Sequence, residues 1–268
     1  MKRQKRQICA AEIMAAVGIA ASLTLSISCN ENQKGKLHMN RADQDTALPE
    51  YNCRKISDGI NLTGKLDDPI WFNAKPIKLL DAVSGNPGRF STQVRVLYDD
   101  AFLYVGFQCE DTYVWGTVTE RDGPIWNEEC VEVFVNPANV AHQYYEINVS
   151  PKNIIFDSVI LNRRTSKKPD ETFIGLPEWN PESLLTATHI EGETDHPGKA
   201  QGWSAELAIP FAALIGAPNV PPRPGDVWRI NFYRIDSPKK NMREHYAWSQ
   251  TGREAFHLPW RFGIIRFE

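Results

Sequence analysis

The sequence predicts an all-β protein: a two-sheet antiparallel β-sandwich of jelly-roll or immunoglobulin-like type with one short helix. From residue 60 onward, short stretches of alternating apolar and polar residues are separated by turn-forming residues, which is the pattern of half-buried strands. About ten such stretches follow one another at short spacing, as is typical of a sandwich. Hydrophobic residues make up 42% of the chain and charged residues 24%, the composition of a folded globular protein.

The individual elements follow from this pattern. The predicted strands are Gln93–Tyr98, Phe102–Cys109, Val131–Asn136, Tyr144–Val149, Ile154–Leu161, Leu184–Ile190, Gly202–Ala208, Val227–Ile235, His245–Ser249 and Arg261–Phe267. The helix is predicted at Pro210–Ile215, because proline favours the first turn of a helix and Gly216 stands just beyond its end. Residues 162–182 are predicted to form a long loop, and loops of that length are usually functional or mobile.

The N-terminal residues have the features of an export signal. Residues 1–28 carry four basic residues and then the apolar stretch Ile13–Ile27, which is too short for a permanent membrane span. Cys29 follows a small residue, as in bacterial lipoprotein signals, so we expect it to be lipidated; an ordinary secretory signal is the alternative. Residues 29–57 are predicted to be a flexible tether and residues 58–268 the folded domain. The expected location is the cell envelope, by a lipid anchor in the outer membrane, facing the periplasm or the cell surface.

The cysteines allow a disulfide without specifying one. Cys9 leaves with the signal and Cys29 is used by the lipid, so that Cys53, Cys109 and Cys130 remain. Cys109 ends one predicted strand and Cys130 begins another, which makes a disulfide between these two possible and leaves the connectivity open.

Charge and motifs exclude several classes of function. The net charge of −3 gives no basic surface for nucleic acid. There is no G-x-S-x-G nucleophile motif and no H-E-x-x-H zinc motif. Acidic residues at Glu110–Asp111 and Glu128–Glu132 could supply the two carboxyl groups that a glycosidase needs about 5–10 Å apart, although such residues more often solvate a turn or bind a cation. A haem-binding relative would need axial ligands such as Met242 and His245.

Tryptophans in loop-like contexts indicate a sugar-binding surface. Trp126 lies in a turn that leads into a strand, and Trp248 lies at a strand end, whereas Trp71, Trp203 and Trp228 fall in regular apolar patterns and are predicted to be core residues. A sugar ring has an apolar face and a rim of hydroxyl groups, so exposed indole rings beside planar polar side chains suit it.

Eight segments in order carry a resemblance to a known family. They read LTGKLDDPIW, VRVLYDDAFLYVGFQCED, RDGPIWNEECVEVFVNP, YYEINVSP, WSAELAIPF, WRINFYRID, AWSQT and FHLPWRFG. Over about residues 58–268 the chain resembles the family 9 carbohydrate-binding module, in the branch found as exported lipoproteins of Bacteroidetes. The resemblance implies a β-sandwich that binds sugars between two Trp rings, no catalytic residue and no cofactor, with structural calcium in some members.

The resemblance also implies site residues. Trp126 and Glu132 match the family's clamp Trp and the polar residue on the following strand, and Trp248 matches the second clamp Trp by region. Glu146 and either Arg234 or Asn231 would be further hydrogen-bonding partners. Alternation along the strand places Asn231 and Arg234 on opposite faces. We favour Arg234 for the site, because an arginine between the sheets would need a dedicated partner.

These observations lead to three functional expectations. The first is a non-catalytic carbohydrate-binding lipoprotein that serves polysaccharide catabolism, with an oligosaccharide or polysaccharide as its partner and association with glycan-degrading enzymes as a further possibility. The second is a glycoside hydrolase, or an accessory subunit of one, that uses Glu129 or Glu132. The third is the haem-binding relative.

Overall fold

The computed structural model describes residues 47–239 and 242–268, and these form a β-sandwich of fourteen strands. Three predictions fall outside the described residues: the signal peptide, the lipidation of Cys29 and the first part of the tether. No helix within the described ranges is long and apolar enough to cross a membrane.

The strands form two layers. Sheet A has the order β9-β8-β7-β6-β12-β14-β1, with β13 beside the second half of β12 and β3 beside β13; sheet B has the order β10-β11-β5-β4-β1, with β2 also beside β4. The strands of the first half of the chain are β1 Glu50–Lys55, β2 Ile77–Lys78, β3 Leu80–Asp81, β4 Thr92–Tyr98, β5 Phe102–Glu110, β6 Cys130–Asn136 and β7 Gln143–Val149. Those of the second half are β8 Ile155–Asn162, β9 Phe173–Leu176, β10 Leu185–Gly192, β11 Ala200–Pro210, β12 Val227–Lys239, β13 Met242–Ala247 and β14 Gly263–Phe267.

Strand β1 joins the two sheets. It lies within residues 29–57, which the sequence analysis predicted to be a flexible tether. Its first four residues pair with β14 of sheet A, and its last two pair with β4 of sheet B. Tyr51 and Cys53 point into the core and their neighbours point outward, an alternation that is too short to stand out in a polar segment. The folded part therefore includes Glu50–Lys55, which the sequence analysis placed in the tether. Both pairings of β1 are parallel, so the predicted purely antiparallel sandwich is a mixed one.

The main core lies between the sheets. Val96 and Phe107 of sheet B and Val133 and Phe232 of sheet A belong to one buried cluster. Trp71, Trp203 and Trp228 are buried, as predicted. A second cluster covers the opposite, outer face of sheet A, where alternate residues of the same strands, such as Phe134, bring aromatic rings together. Sheet A is therefore apolar on both faces, and its outer face is free to form a site.

Two other predictions change. The predicted helix at Pro210–Ile215 is a 3-10 turn at Phe211–Ala213, and the described residues contain no α-helix. Cys109 and Cys130 are free thiols rather than a disulfide. The reason is that Cys109 points into the core between the sheets, whereas Cys130 belongs to the cluster on the outer face of sheet A.

Candidate functional site

A groove of about 410 Å³ runs over the outer face of sheet A. Its floor comes from alternate residues of β6, β7, β8, β9 and β12, including Glu132, Glu146 and Phe156. One wall is the turn that carries Trp126, and another is the segment 254–257. The long loop predicted at residues 162–182 contributes to the groove as well, because β9 forms within it.

Trp126 is held as a partly exposed ring beside the groove. It lies in the 3-10 turn Ile125–Asn127, and Ile125 anchors this turn because its side chain is buried on the outer face of sheet A. The indole packs edge-on against Phe156 with a centroid distance of 4.7 Å. Arg243 donates from Nη1 to the backbone oxygen of Trp126 at 3.3 Å. Phe156 thus holds the ring and Arg243 holds the backbone of the turn, while the ring still presents a surface to the groove.

Two carboxyl groups form the polar part of the floor. Glu132 is 2% exposed and Glu146 is 6% exposed. Burial, and then the charge of Glu146, raises the pKa of Glu132 well above its usual range, while burial raises the pKa of Glu146 to about 7. The Cys130 thiol donates to Glu132 at 3.4 Å, and the Asn148 amide donates to Glu146 at 2.9 Å. One oxygen of each carboxyl group remains without a donor among residues 47–239 and 242–268.

A chain of polar groups continues from Glu146. His257 places Nε2 at 3.9 Å from Glu146 Oε2, and its Nδ1 lies 2.8 Å from the Tyr144 hydroxyl. Asn162 donates to that hydroxyl at 2.9 Å. Burial lowers the pKa of His257 to about 3, so the imidazole is neutral at physiological pH. Phe173 stacks on the same ring at 3.7 Å, which fixes its plane.

The segment that carries Phe256 packs on sheet A and is hydrogen-bonded to it through Tyr233. Tyr233 stacks face to face on Phe256 with a centroid distance of 4.0 Å, and its hydroxyl donates to the Phe256 backbone oxygen at 3.0 Å. Phe256 thus brings a second aromatic side chain to the groove that Trp126 lines.

Comparison with known sequences identifies the family. A sequence model of the family described as "Carbohydrate family 9 binding domain-like" matches residues 62–268. The chain belongs to this family. It is 26% identical over 185 residues to an extracellular protein of Arthroderma benhamiae, a match covering 66% of this chain and 78% of the relative. It is also 26% identical over 153 residues to endo-1,4-beta-xylanase A of Thermoanaerobacterium saccharolyticum, covering 57% of this chain and only 11% of the enzyme.

Solved structures share the fold of this family 9 domain. A protein of Bacteroides uniformis, for which carbohydrate binding has been suggested, superposes with a TM-score of 0.64 at 16% identity. The match covers 83% of this chain and 100% of the other. A family 9 module from Caldicellulosiruptor kristjanssonii in complex with cellotriose gives 0.57 at 15% identity, covering 82% and 94% of the two chains. A family 9 module from the same organism in complex with glucose gives a TM-score of 0.54, also at 15% identity, covering 82% of this chain and 96% of the other.

The groove of this family 9 domain brings together three of the predicted site residues, Trp126, Glu132 and Glu146. Trp248 is not among them. Its ring tilts against Phe232 of the core between the sheets at 5.5 Å and lies over Gly263, where an added Cβ would come within 2.5 Å of the indole. The predicted clamp of Trp126 with Trp248 is therefore wrong for this groove, because the two rings lie on opposite faces of sheet A.

Asn231 and Arg234 also lie outside the groove. Asn231 is fully buried and exchanges hydrogen bonds with the backbone of Ser249. Arg234 points between the sheets and meets Asp111 at 2.7 Å. The prediction that Arg234 lies in the sugar site is wrong. A buried arginine needs a dedicated partner, and Asp111, the residue just after β5, is that partner.

The carboxyl groups predicted as catalytic do not converge on one site. Glu132 faces the groove, but Glu129 is 1% exposed and lies in a cluster with Asp111 and Asp236, in which one carboxyl oxygen of each residue lies within 4.8 Å of the others. Burial, and then the charge of Asp111, raises the pKa of Glu129 to about 10, so it is a neutral acid at physiological pH.

The same cluster is the place where a structural calcium could be held, and its residues do not fit one. Asp111 accepts from the Tyr113 N–H at 2.8 Å on one oxygen and from Arg234 at 2.7 Å on the other, so a guanidinium group already supplies the positive charge beside this carboxylate. An ion bound to Asp111 and Asp236 at the usual 2.3–2.6 Å would lie beside Arg234, which is itself 3.7 Å from Asp236. Two unit charges about 4 Å apart interact by about 4 kcal/mol near a protein surface, and a divalent ion doubles that repulsion.

The haem ligands suggested by the sequence do not converge either. Met242 and His245 lie three residues apart on β13, and residues at an odd spacing on a strand point to opposite faces. His245 lines the groove beside Phe256, whereas Met242 does not.

Several groove residues were missed from the sequence. His257 was interpreted as a hydrogen-bonded packing residue, which describes its contacts but not its position in the groove. Arg164 and Phe173 lie in the predicted loop, and no pattern distinguishes them there. The segment around Phe256 and His257 carried a signal, because it was one of the eight segments of the resemblance.

Proposed function

We propose that this protein is a non-catalytic carbohydrate-binding protein and that the groove on the outer face of sheet A binds the sugar. The observation that carries the proposal is the partly exposed Trp126 ring in the same groove as the carboxyl groups of Glu132 and Glu146. The apolar face of a sugar ring stacks on the indole, and its hydroxyl groups donate to the free carboxyl oxygens. Membership in the family supports this use of the groove.

The chemistry of the groove favours a neutral saccharide. The floor offers two carboxyl groups, and above about pH 7 the negative charge of Glu146 would repel an acidic sugar placed over it. Arg164 and Arg243 stand at the sides, where their guanidinium groups can donate to ring or hydroxyl oxygens. The fold is shared with a family 9 module crystallised with cellotriose and with glucose, so glucose-based oligosaccharides are the first ligands to test.

The cellular role forms the second part of the proposal. The basic residues and apolar stretch of residues 1–28 support export, and Cys29 supports a lipid anchor in the cell envelope, at the outer membrane. A tethered binding domain would concentrate oligosaccharides or polysaccharides near glycan-degrading enzymes and so serve polysaccharide catabolism. Palmitate labelling of the expressed protein, compared with Cys29→Ala, tests the anchor.

Titration calorimetry with cellotriose tests whether the groove binds sugar. A glycan-array screen done first extends the set of ligands. Trp126→Ala is expected to weaken binding at least about tenfold, which corresponds to 1.4 kcal/mol, while the melting temperature stays close to that of the unchanged protein. Trp179→Ala is the matched control, because Trp179 is another partly exposed tryptophan that packs on Tyr145 and does not line the groove. Equal affinities for a bound glycan in the Trp126→Ala and unchanged proteins would reject the site.

A glycoside hydrolase is the second candidate, since two carboxyl groups with raised pKa values share one groove. Release of reducing ends from the same glycans distinguishes the two functions. Turnover that disappears in Glu132→Gln while binding persists would establish catalysis. Binding without turnover supports the first proposal.

A further inference from the structure

Arg234 lies at the centre of the buried carboxyl cluster between the sheets. It is 0% exposed. Its Nη2 donates to Asp111 at 2.7 Å, and its Nη1 donates to the Thr92 hydroxyl at 3.1 Å and to the Glu110 backbone oxygen at 2.8 Å. Asp236 lies at 3.7 Å. One side chain of sheet A thus fastens the ends of β4 and β5 of sheet B.

We propose that the guanidinium group of Arg234 takes the place of a structural divalent cation in this chain, so that the fold needs no calcium. The resemblance implied structural calcium in some members of the family, and the cluster of Asp111, Glu129 and Asp236 has the carboxyl groups for such an ion. This inference concerns the stability of the sandwich and is independent of the proposed sugar site.

The contacts support this exchange of one cation for another. A structural calcium ion holds together carboxyl groups that come from separate segments. Arg234 likewise ties separate segments together, because its two terminal nitrogens donate to the Thr92 hydroxyl on β4, the Glu110 backbone oxygen on β5 and the Asp111 carboxyl group after β5. A guanidinium group is always charged, so the cross-link does not depend on ion concentration.

The charges of the cluster show what would happen without Arg234. Both carboxyl oxygens of Glu129 and both of Asp236 are buried and accept no hydrogen bond in the described part of the chain. With Arg234 present, its positive charge lies 3.7 Å from Asp236 and repels a second cation. With Arg234 removed, the oxygens of Glu129 and Asp236, together with the Asp111 oxygen that Arg234 had bonded, are ligands for which calcium is the natural partner.

Thermal unfolding of the full chain in calcium and in EDTA tests the proposal. The melting temperature of the unchanged protein is expected to be the same in both buffers. Arg234→Gln is expected to melt about 10 °C lower in EDTA, because it leaves buried charges without a partner, and to recover much of this loss in calcium. Arg234→Lys, which keeps one positive charge, is expected to melt at an intermediate temperature with no calcium response.

Controls keep the test decisive. Arg121→Gln removes a different arginine–carboxylate pair, the one with Asp157, and its loss of stability is expected to be the same in calcium and EDTA. If Arg234→Gln does not fold in either buffer, the double variant Arg234→Gln with Asp111→Asn removes one charge of each sign and is expected to fold and to ignore calcium. A double variant that fails to fold or responds to calcium would contradict the proposal.

Terbium gives a direct readout on the unchanged protein, because tryptophan sensitises its emission and Trp115 lies beside the cluster, donating to the Ser237 backbone oxygen at 2.6 Å. No saturable emission is expected from the unchanged protein, and saturable emission that calcium displaces is expected from Arg234→Gln. Calcium-displaced emission from the unchanged protein, or a clear fall of its melting temperature in EDTA, would overturn the proposal.

Discussion

Glu132 and Glu146 occupy diagonal positions on the neighbouring strands β6 and β7, with Glu132 opposite Asn148 and Glu146 opposite Phe134. Diagonal side chains on one face of a sheet are within reach of each other, and both of these carboxyl groups are buried in the floor of the groove. The two groups therefore titrate as a coupled pair that resists carrying two negative charges.

Stability is expected to fall as the pH rises through about 7. The pKa of Glu146 is raised from 4.5 to about 7 by burial, so between these values the folded chain holds a proton that the unfolded chain has released. The stabilisation is fully present below pH 4.5 and is lost as pH passes the folded value. Each pKa unit corresponds to about 1.4 kcal/mol, so the loss is a few kcal/mol.

Glu146→Gln removes the part of this dependence that Glu146 contributes, whereas Glu129 and Glu132, whose pKa values are also raised by burial, keep their own parts. At pH 8 the variant is expected to melt roughly 5 °C above the unchanged protein, whereas at pH 5 the two should be similar. Thermal melts over this pH range provide the measurement, and Glu254→Gln, an exposed position in the same groove, is the control. A slope as steep in Glu146→Gln as in the unchanged protein would show that Glu146 does not contribute to it.

Tyr233 is expected to affect binding through Phe256 without touching the sugar. Tyr233→Phe keeps the stacked ring but removes the hydrogen bond to the Phe256 backbone, at a cost of about 1 kcal/mol. We expect a glycan affinity several-fold lower and a small fall in stability, measured by calorimetry and urea unfolding. Tyr145→Phe, which removes a similar hydroxyl contact to the Ile215 backbone away from the groove, should leave the affinity unchanged.

The thiols of Cys53, Cys109 and Cys130 are expected to be free and unreactive in the folded protein. All three are buried, and burial raises their pKa values, so the reactive thiolate is scarce. Iodoacetamide labelling followed by peptide mass spectrometry should modify these positions only after denaturation. Recovery of a linked peptide that contains both Cys109 and Cys130 would contradict the structure.

Glu206 is expected to stabilise the segment after β1 that contains Thr63, Gly64 and Trp71. It accepts from the Trp71 indole at 2.7 Å, from the Thr63 N–H at 2.7 Å and from the Gly64 N–H at 2.5 Å. Glu206→Ala leaves these donors unpaired, and we expect a loss of about 3–5 kcal/mol in urea unfolding. Glu191→Ala, an exposed position on the neighbouring strand, should change stability by less than about 0.5 kcal/mol.

The sequence was sufficient for most of the strands and for the faces on which several of their side chains lie. Alternation along Val131–Asn136 correctly placed Glu132 and Phe134 on one face, because a strand with a buried face has only one register that hides its apolar residues. The turn predicted before that strand is present, and Trp126 is partly exposed in it. Periodicity and turn chemistry are local, so the sequence shows them directly.

What the sequence could not show depends on contacts between distant positions. Arg234 and Asp111 are 123 residues apart, and only the packing of the two sheets shows that they pair. The face taken by Trp248 likewise depends on Gly263, whose missing side chain makes room for the indole. Strand β1 was missed because six residues with two inward side chains resemble a polar linker.

The double pairing of β1 also has a mechanical consequence. Any pull that reaches the domain through the residues before Glu50 arrives first at a strand bonded to both layers, through Cys53 with Phe267 and Arg54 with Leu97. A pull along the axis of this strand loads those backbone bonds in shear, several at once, instead of opening them one by one. The double pairing of β1 is therefore expected to make the domain resist unfolding by force applied through the residues just before Glu50.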